Sequence, residues 1–138
     1  MGAPHISNIA AFIKPALGTV PEAASAGSVN GPAIDRLGYG SCELVVATGA
    51  ATGTPTTTSV TSKLQHSDDG STAWTDLADG AGPTVAAVSS IGSVGVDLAG
   101  AKRYIRVART VAFTGGTTPT VGVASTVILG GADKLPAV

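Results

Sequence analysis

The sequence predicts an all-β domain, an antiparallel β-sandwich or jelly-roll-like barrel with an extended N-terminal arm, and three observations carry that expectation. Short runs rich in Val, Ile and Thr recur at close spacing between Gly, Pro and Asp turns. No stretch keeps the 3.6-residue apolar period of an amphipathic helix. Residues 60–77 read as a β-hairpin: two strand-like runs flank the polar turn Asp68-Asp69-Gly70, which offers side-chain acceptors for backbone N–H groups and a residue tolerant of positive φ.

Residues 1–36 come first and differ from the rest. Pro4, Pro15, Pro21 and Pro32 punctuate a Gly/Ala/Ser-rich stretch, and each removes a backbone donor and disfavours helix before it. The segment reads as an extended arm in which the apolar cluster at 9–13 forms no more than one short turn or strand. Strand signals begin near Tyr39. Residues 42–48 make a first strand, ended by Gly49 and a Gly/Thr/Pro loop through Thr58. Residues 59–67 and 72–77 are the arms of the hairpin, with Val60 and Leu64 on one pleat face. A short candidate follows at 85–88, another at 94–98, and the longest run at 102–113. In that run Ile105, Val107, Val111 and Phe113 share a face with Arg103 and Arg109, while Tyr104, Arg106, Ala108 and Thr110 share the other. Gly115 and Gly116 turn the chain into 121–129, which places Val121, Val123, Val127 and Leu129 on one side, and Gly130-Gly131 releases a tail. The organisation expected is an arm over 1–36, a β-domain over 37–131 and a tail over 132–138.

Composition narrows the function. A length of 138 residues suits one domain with tails. Eight basic and nine acidic residues give a net charge of -1, so there is no positive field to gather nucleic acid or an anionic membrane. Five aromatic residues leave the core to aliphatic side chains, a thin core that burial against neighbouring subunits would support. No apolar stretch reaches the ~20 residues that span a bilayer, and the first residues lack the pattern of a secretory signal, so a soluble chain made in the cytoplasm is expected.

Chemistry is sparse. Ser67, His66 and Asp69 are the only paper triad, yet adjacent strand residues point to opposite faces and no Gly-x-Ser-x-Gly elbow is present. Asp68, Asp69, Asp76 and Asp79 raise calcium, but their spacing is not that of an EF-hand loop, and turn aspartates ordinarily cap the turn. Cys42 is alone and reads as a buried small hydrophobe. No catalytic residue, metal or cofactor is expected. Trp74 has two readings, an anchor at one end of the barrel or an exposed contact residue. Lys102, Arg103, Arg106 and Arg109 hold half the basic side chains; they are either solvated flanks paired with Asp97 or Asp76, or a docking edge toward an acidic protein surface.

Two segments carry a resemblance: Gln65-His66-Ser67-Asp68-Asp69-Gly70-Ser71-Thr72-Ala73-Trp74-Thr75-Asp76-Leu77 and Val96-Asp97-Leu98-Ala99-Gly100-Ala101-Lys102-Arg103-Tyr104-Ile105-Arg106-Val107. With Asp35-Arg36 and Leu44-Val45-Val46 before them, they resemble small structural proteins of tailed bacteriophages, in particular head decoration or cement proteins, over about residues 32–131. The same hairpin and the Arg-Tyr-Ile-Arg-Val strand are also similar to galactose-binding-like jelly rolls, with Trp74 and Tyr104 as the sugar-stacking residues, and to modules of phage tail or neck proteins. The first resemblance implies a virion structural protein on the outer capsid surface that adds contact area across capsomer junctions and opposes the pressure of packaged DNA. It implies the major capsid protein and further copies of the chain (dimer or trimer) as partners. The interface residues expected are Ile6, Ile9, Phe12 and Ile13 of the arm, Trp74, Arg103 and Arg106 of the domain, and Leu135 of the tail.

Overall fold

Period-two alternation organises almost the whole chain in its computed structural model, which describes residues 8–137. A single 3₁₀ turn at Ile9–Ala11, capped by the Asn8 side chain accepting from the Ala10 N–H, precedes the strands. Among the described residues these are β1 (Lys14–Ala24), β2 (Gly27–Asn30), β3 (Ile34–Asp35), β4 (Tyr39–Thr52), β5 (Thr57–Ser67), β6 (Thr75–Val85), β7 (Ile91–Asp97), β8 (Tyr104–Thr114) and β9 (Thr120–Ala132). Sheet A runs β1-β9-β4-β7. Sheet B runs β2-β8-β5-β6, with β3 continuing β2 along the same edge of β8. Every pairing is antiparallel.

The two sheets pack face to face as a sandwich, and no closed barrel forms. Among the described residues the chain changes sheet at β1–β2, β3–β4, β4–β5, β6–β7, β7–β8 and β8–β9; the β1–β2 and β6–β7 connections join edge strands at the two sides of the sandwich. Between the layers lie Leu44 and Val46 of β4, Val60 and Leu64 of β5, Ile105 and Val107 of β8, and Val121 and Val127 of β9, none of them accessible to solvent. Full burial of such side chains contributes roughly 1.5–3 kcal/mol each and is the main force holding the sheets together.

The segment over 1–36 is extended for most of its described length, and it is built into both sheets. Ala24 and Ile34 belong to the same core as Leu44 and Val107. Its prolines explain where it sits: β1 is an edge strand, and Pro15 and Pro21 lack the N–H that an inner strand must give to its neighbour. The short candidate at 85–88 is not a strand of its own. β6 continues to Val85 through register shifts around Gly80 and Gly82, and residues 86–88 lie in the crossing to sheet A.

The hairpin expected at 60–77 is present, with β5 and β6 joined by a turn that re-enters the sheet at Thr75, opposite His66. Gly70 adopts φ +76°, and a Cβ there would lie 3.0 Å from the Tyr104 ring, so glycine is required both by the backbone and by the aromatic packed on it.

Candidate functional site

The hairpin turn is held by Asp69. Its carboxylate accepts from the Ser71 N–H at 2.9 Å, the Thr72 N–H at 2.8 Å, the Thr72 hydroxyl at 2.5 Å and the Ser67 hydroxyl at 2.9 Å. These bonds, that from the Thr72 hydroxyl foremost, favour the ionised form and hold the carboxyl well below the usual carboxylate range. Ser67 and Asp69 are thus committed to the turn. Nδ1 of His66 accepts from the Lys102 N–H at 3.1 Å. Ser67 and Asp69 are bonded to each other within the turn, and His66 is engaged apart from them with the Lys102 backbone, so the three do not form a triad.

Beyond the turn, a ladder of side chains crosses the outer face of sheet B. The Arg106 guanidinium lies over the Trp74 ring, 4.4 Å from its centroid, and its Nε donates to Gln65 Oε1 at 2.9 Å. Gln65 donates to Asp76 at 2.9 Å, and Asp76 also accepts from Lys63 at 2.8 Å. The Lys63 contact, then that of Gln65, lowers the Asp76 carboxyl. Trp74 is half-buried on this face, where Arg106 covers part of its ring.

At the same end of the sandwich, Arg103 makes a two-pronged contact with Asp35, Nε to Oδ1 at 3.1 Å and Nη2 to Oδ2 at 2.9 Å. The pair lowers the Asp35 carboxyl and raises the Arg103 guanidinium. Sequence reasoning expected Asp97 or Asp76 as the basic residues' partners. The register decides otherwise: Asp35 stands opposite Tyr104, next to Arg103, whereas Asp97 lies in the other sheet and Asp76 is taken by Lys63. Asp68 pairs with Lys102 at 3.4 Å. Arg36, which sequence reasoning passed over as a site residue, ties the base of this end together by donating to the carbonyls of Lys102, Ala101 and Tyr39.

Arg109 is neither a solvated flank nor part of a docking edge. It is 1% exposed and its Nη2 donates to Glu22 of β1. The signal was present in the sequence, since Arg109 shares a face with Ile105, Val107 and Val111.

The first and last described segments meet at this same end. The Ala137 N–H donates to the Ala11 carbonyl at 2.9 Å, and the Asp133 N–H to the Gly38 carbonyl at 2.8 Å. Ile9, Leu37 and Leu135 are more than half exposed there, while Phe12 and Ile13 are half-buried. Leu37, unmarked in the sequence, stands at the rim of an open notch of about 300 Å³ with Gly38, Ala132 and Lys134. Ile6 lies outside the described residues. The structure therefore brings Ile9, Phe12, Ile13, Trp74, Arg103, Arg106 and Leu135 to one end, in two groups: the Trp74–Arg106 ladder on the outer face of sheet B, and the apolar terminal segments beside β1 and β9. At the opposite end the loops at 53–56, 86–90 and 115–119 contain no charged residue.

Cys42 is buried in sheet A, and desolvation pushes its thiol up to about 11. Among the described residues no cluster of three or more His, Cys, Asp or Glu is placed to hold a metal ion, and no helix is long and apolar enough to cross a membrane.

No protein-family model and no curated protein matches the chain. Among solved structures, the PBSX exported protein XepA superposes with a TM-score of 0.59 at 16% identity, over 99% of this chain and 42% of that one. The chain thus spans less than half the length of XepA, and the two share a fold. A Bacillus endospore appendage protein from disulfide-linked pili matches at a TM-score of 0.42 and 12% identity, over 94% of this chain and 96% of that one. The SPBc2 prophage-derived protein YomS matches at 0.41 and 16%, over 85% and 91%.

Proposed function

We propose that the chain is a structural protein of a tailed-phage virion that binds the outer surface of the capsid and stabilises capsomer junctions, with the major capsid protein as its partner. The observation that carries this reading is the gathering of aromatic, arginine and exposed apolar side chains at one end of a sandwich whose other end is uncharged. Binding energy at protein surfaces concentrates in Trp, Arg and apolar anchors; here Arg106 over Trp74 and Arg103 on Asp35 are fixed by contacts that need little ordering on binding, and Ile9, Leu37 and Leu135 stand exposed at the same end. The resemblance of the hairpin and of β8 to head decoration proteins supports it, as does the fold shared with the PBSX exported protein XepA. In this role the protein adds contact area between capsomers and performs no chemistry.

The test is co-sedimentation of the purified protein with phage heads that lack it, followed by thermal melting of the heads. Binding that raises the melting temperature, and that is lost in a Trp74→Ala, Leu135→Asp double variant still folded by circular dichroism, is the expected result. Heads that neither bind the protein nor gain stability would overturn the reading, and binding to tails alone would move the protein to the tail or neck.

A further inference from the structure

The outward face of sheet A is a second surface, and its composition differs from everything else on the molecule. Along β4 the inward residues Leu44 and Val46 are fully buried, so Glu43, Val45 and Ala47 point to solvent. The pairing register extends that face across the sheet in rows: Ile128 and Pro15 flank Glu43, Thr126 and Leu17 flank Val45, and Ala124 and Ile91 flank Ala47. Glycines 49 and 122 close it toward the uncharged end, where they leave it without side chains. Ile91 is 72% exposed and Leu17 47%. Outward positions of a one-sided antiparallel sheet are ordinarily polar. In these rows Glu43 is the sole ionisable residue.

We propose that this face binds the same face of a second copy of the chain, with a two-fold axis passing near Val45. Three features select that occupant. With no basic group on the face and a single carboxylate, it offers nothing to recognise a charged partner, whereas a copy of itself is equally apolar. A two-fold relation about Val45 sets each Glu43 over the small residues Ala47 and Ala124 of its mate, so the like charges lie at opposite ends of the contact and do not meet. The small residues Ala47, Ala124 and the glycines keep the surface flat enough for two sheets to approach at the ~10 Å of ordinary sheet packing. The size of the face sets the strength. Four strands ~4.8 Å apart and six residue steps of ~3.3 Å give about 400 Å². That is about half of the ~800 Å² per partner of a standard interface, so association is weak and reversible in solution. This inference is independent of what the charged end binds.

Sedimentation equilibrium of the intact protein tests it. A reversible monomer–dimer equilibrium is expected, with Val45→Lys raising the dissociation constant at least tenfold. Mixing Val45→Lys with Val45→Glu should restore association, because the two side chains face each other near the axis. Thr61→Lys, on the outer face of sheet B, should leave the equilibrium unchanged, and Thr126→Lys replaces Val45→Lys if the latter alters the melting temperature. A wild-type chain that is monomeric at about 1 mM would overturn the proposal. So would a dimer indifferent to these substitutions, or a Val45→Lys variant that loses only head binding.

Discussion

Arg109, the largest fully buried side chain among the described residues, reaches from β8 across the sandwich to the carboxylate of Glu22 on the edge strand β1. Its Nε and Nη1 find no acceptor among the described residues, nor does the hydroxyl of Ser62, its neighbour across the sheet. One ion pair therefore ties the outermost strand of one sheet to an inner strand of the other, at the cost of an incompletely satisfied guanidinium.

That arrangement predicts an asymmetry. Glu22→Gln leaves a buried cation without its counter-charge, and because Glu22 is itself half-exposed the loss should be about 1–3 kcal/mol rather than the larger value of a fully buried pair. Arg109→Met removes cation and desolvation cost together, keeps most of the volume, and should leave stability equal or higher. Urea unfolding of the two variants checks this; a Met variant less stable than the Gln variant would contradict it.

The hairpin turn predicts acid sensitivity. Because the Asp69 carboxyl is held below its ordinary 3.8 in the folded chain, its contribution is fully present above pH ~4 and is lost as pH falls further. Asp35 and Asp76 shift in the same direction through Arg103 and Lys63. The melting temperature should be flat from neutrality to about pH 5 and fall below pH 4. Asp69→Asn should lower the neutral melting temperature by several degrees and flatten that acid limb.

How much of this could be read beforehand depends on the range of the forces involved. Strand positions and inward faces followed from period-two alternation, so Val60, Leu64, Ile105, Val107 and Val127 occupy the core as patterned. The hairpin was legible because Asp69 and Gly70 act within a few residues of their partners. Pairings across distant segments were not: Arg103 meets Asp35 and Arg109 meets Glu22 only once the strand order is fixed. The apolar outward face of sheet A escaped notice for the same reason. Leu17, Val45, Thr126 and Ile91 come from four strands, and each alone is unremarkable.

The thiol of Cys42 should be unreactive in the native chain. With its pKa raised to about 11 by burial, thiolate is scarce at pH 8, and the side chain lies in the core behind β4. Labelling by a small alkylating reagent at pH 8 should proceed at the rate of unfolding and accelerate sharply in denaturing urea. Rapid native labelling would place the thiol at the surface and contradict the packing of sheet A.

Trp74 and Arg106 separate a docking role from a structural one. Stacking of a guanidinium on a half-exposed indole contributes about 0.5–1 kcal/mol, so Trp74→Ala and Arg106→Ala should each lower stability by no more than about 1 kcal/mol, and a double-mutant cycle should return a coupling of that order. Hot-spot truncation at an interface costs ≥ ~2 kcal/mol, a factor of roughly 30 in affinity. If this end of the sandwich is the docking surface, either substitution should weaken head binding by at least tenfold while the unfolding midpoint barely moves. Equal, small losses in both measurements would mean that the stack serves only to brace the hairpin against β8.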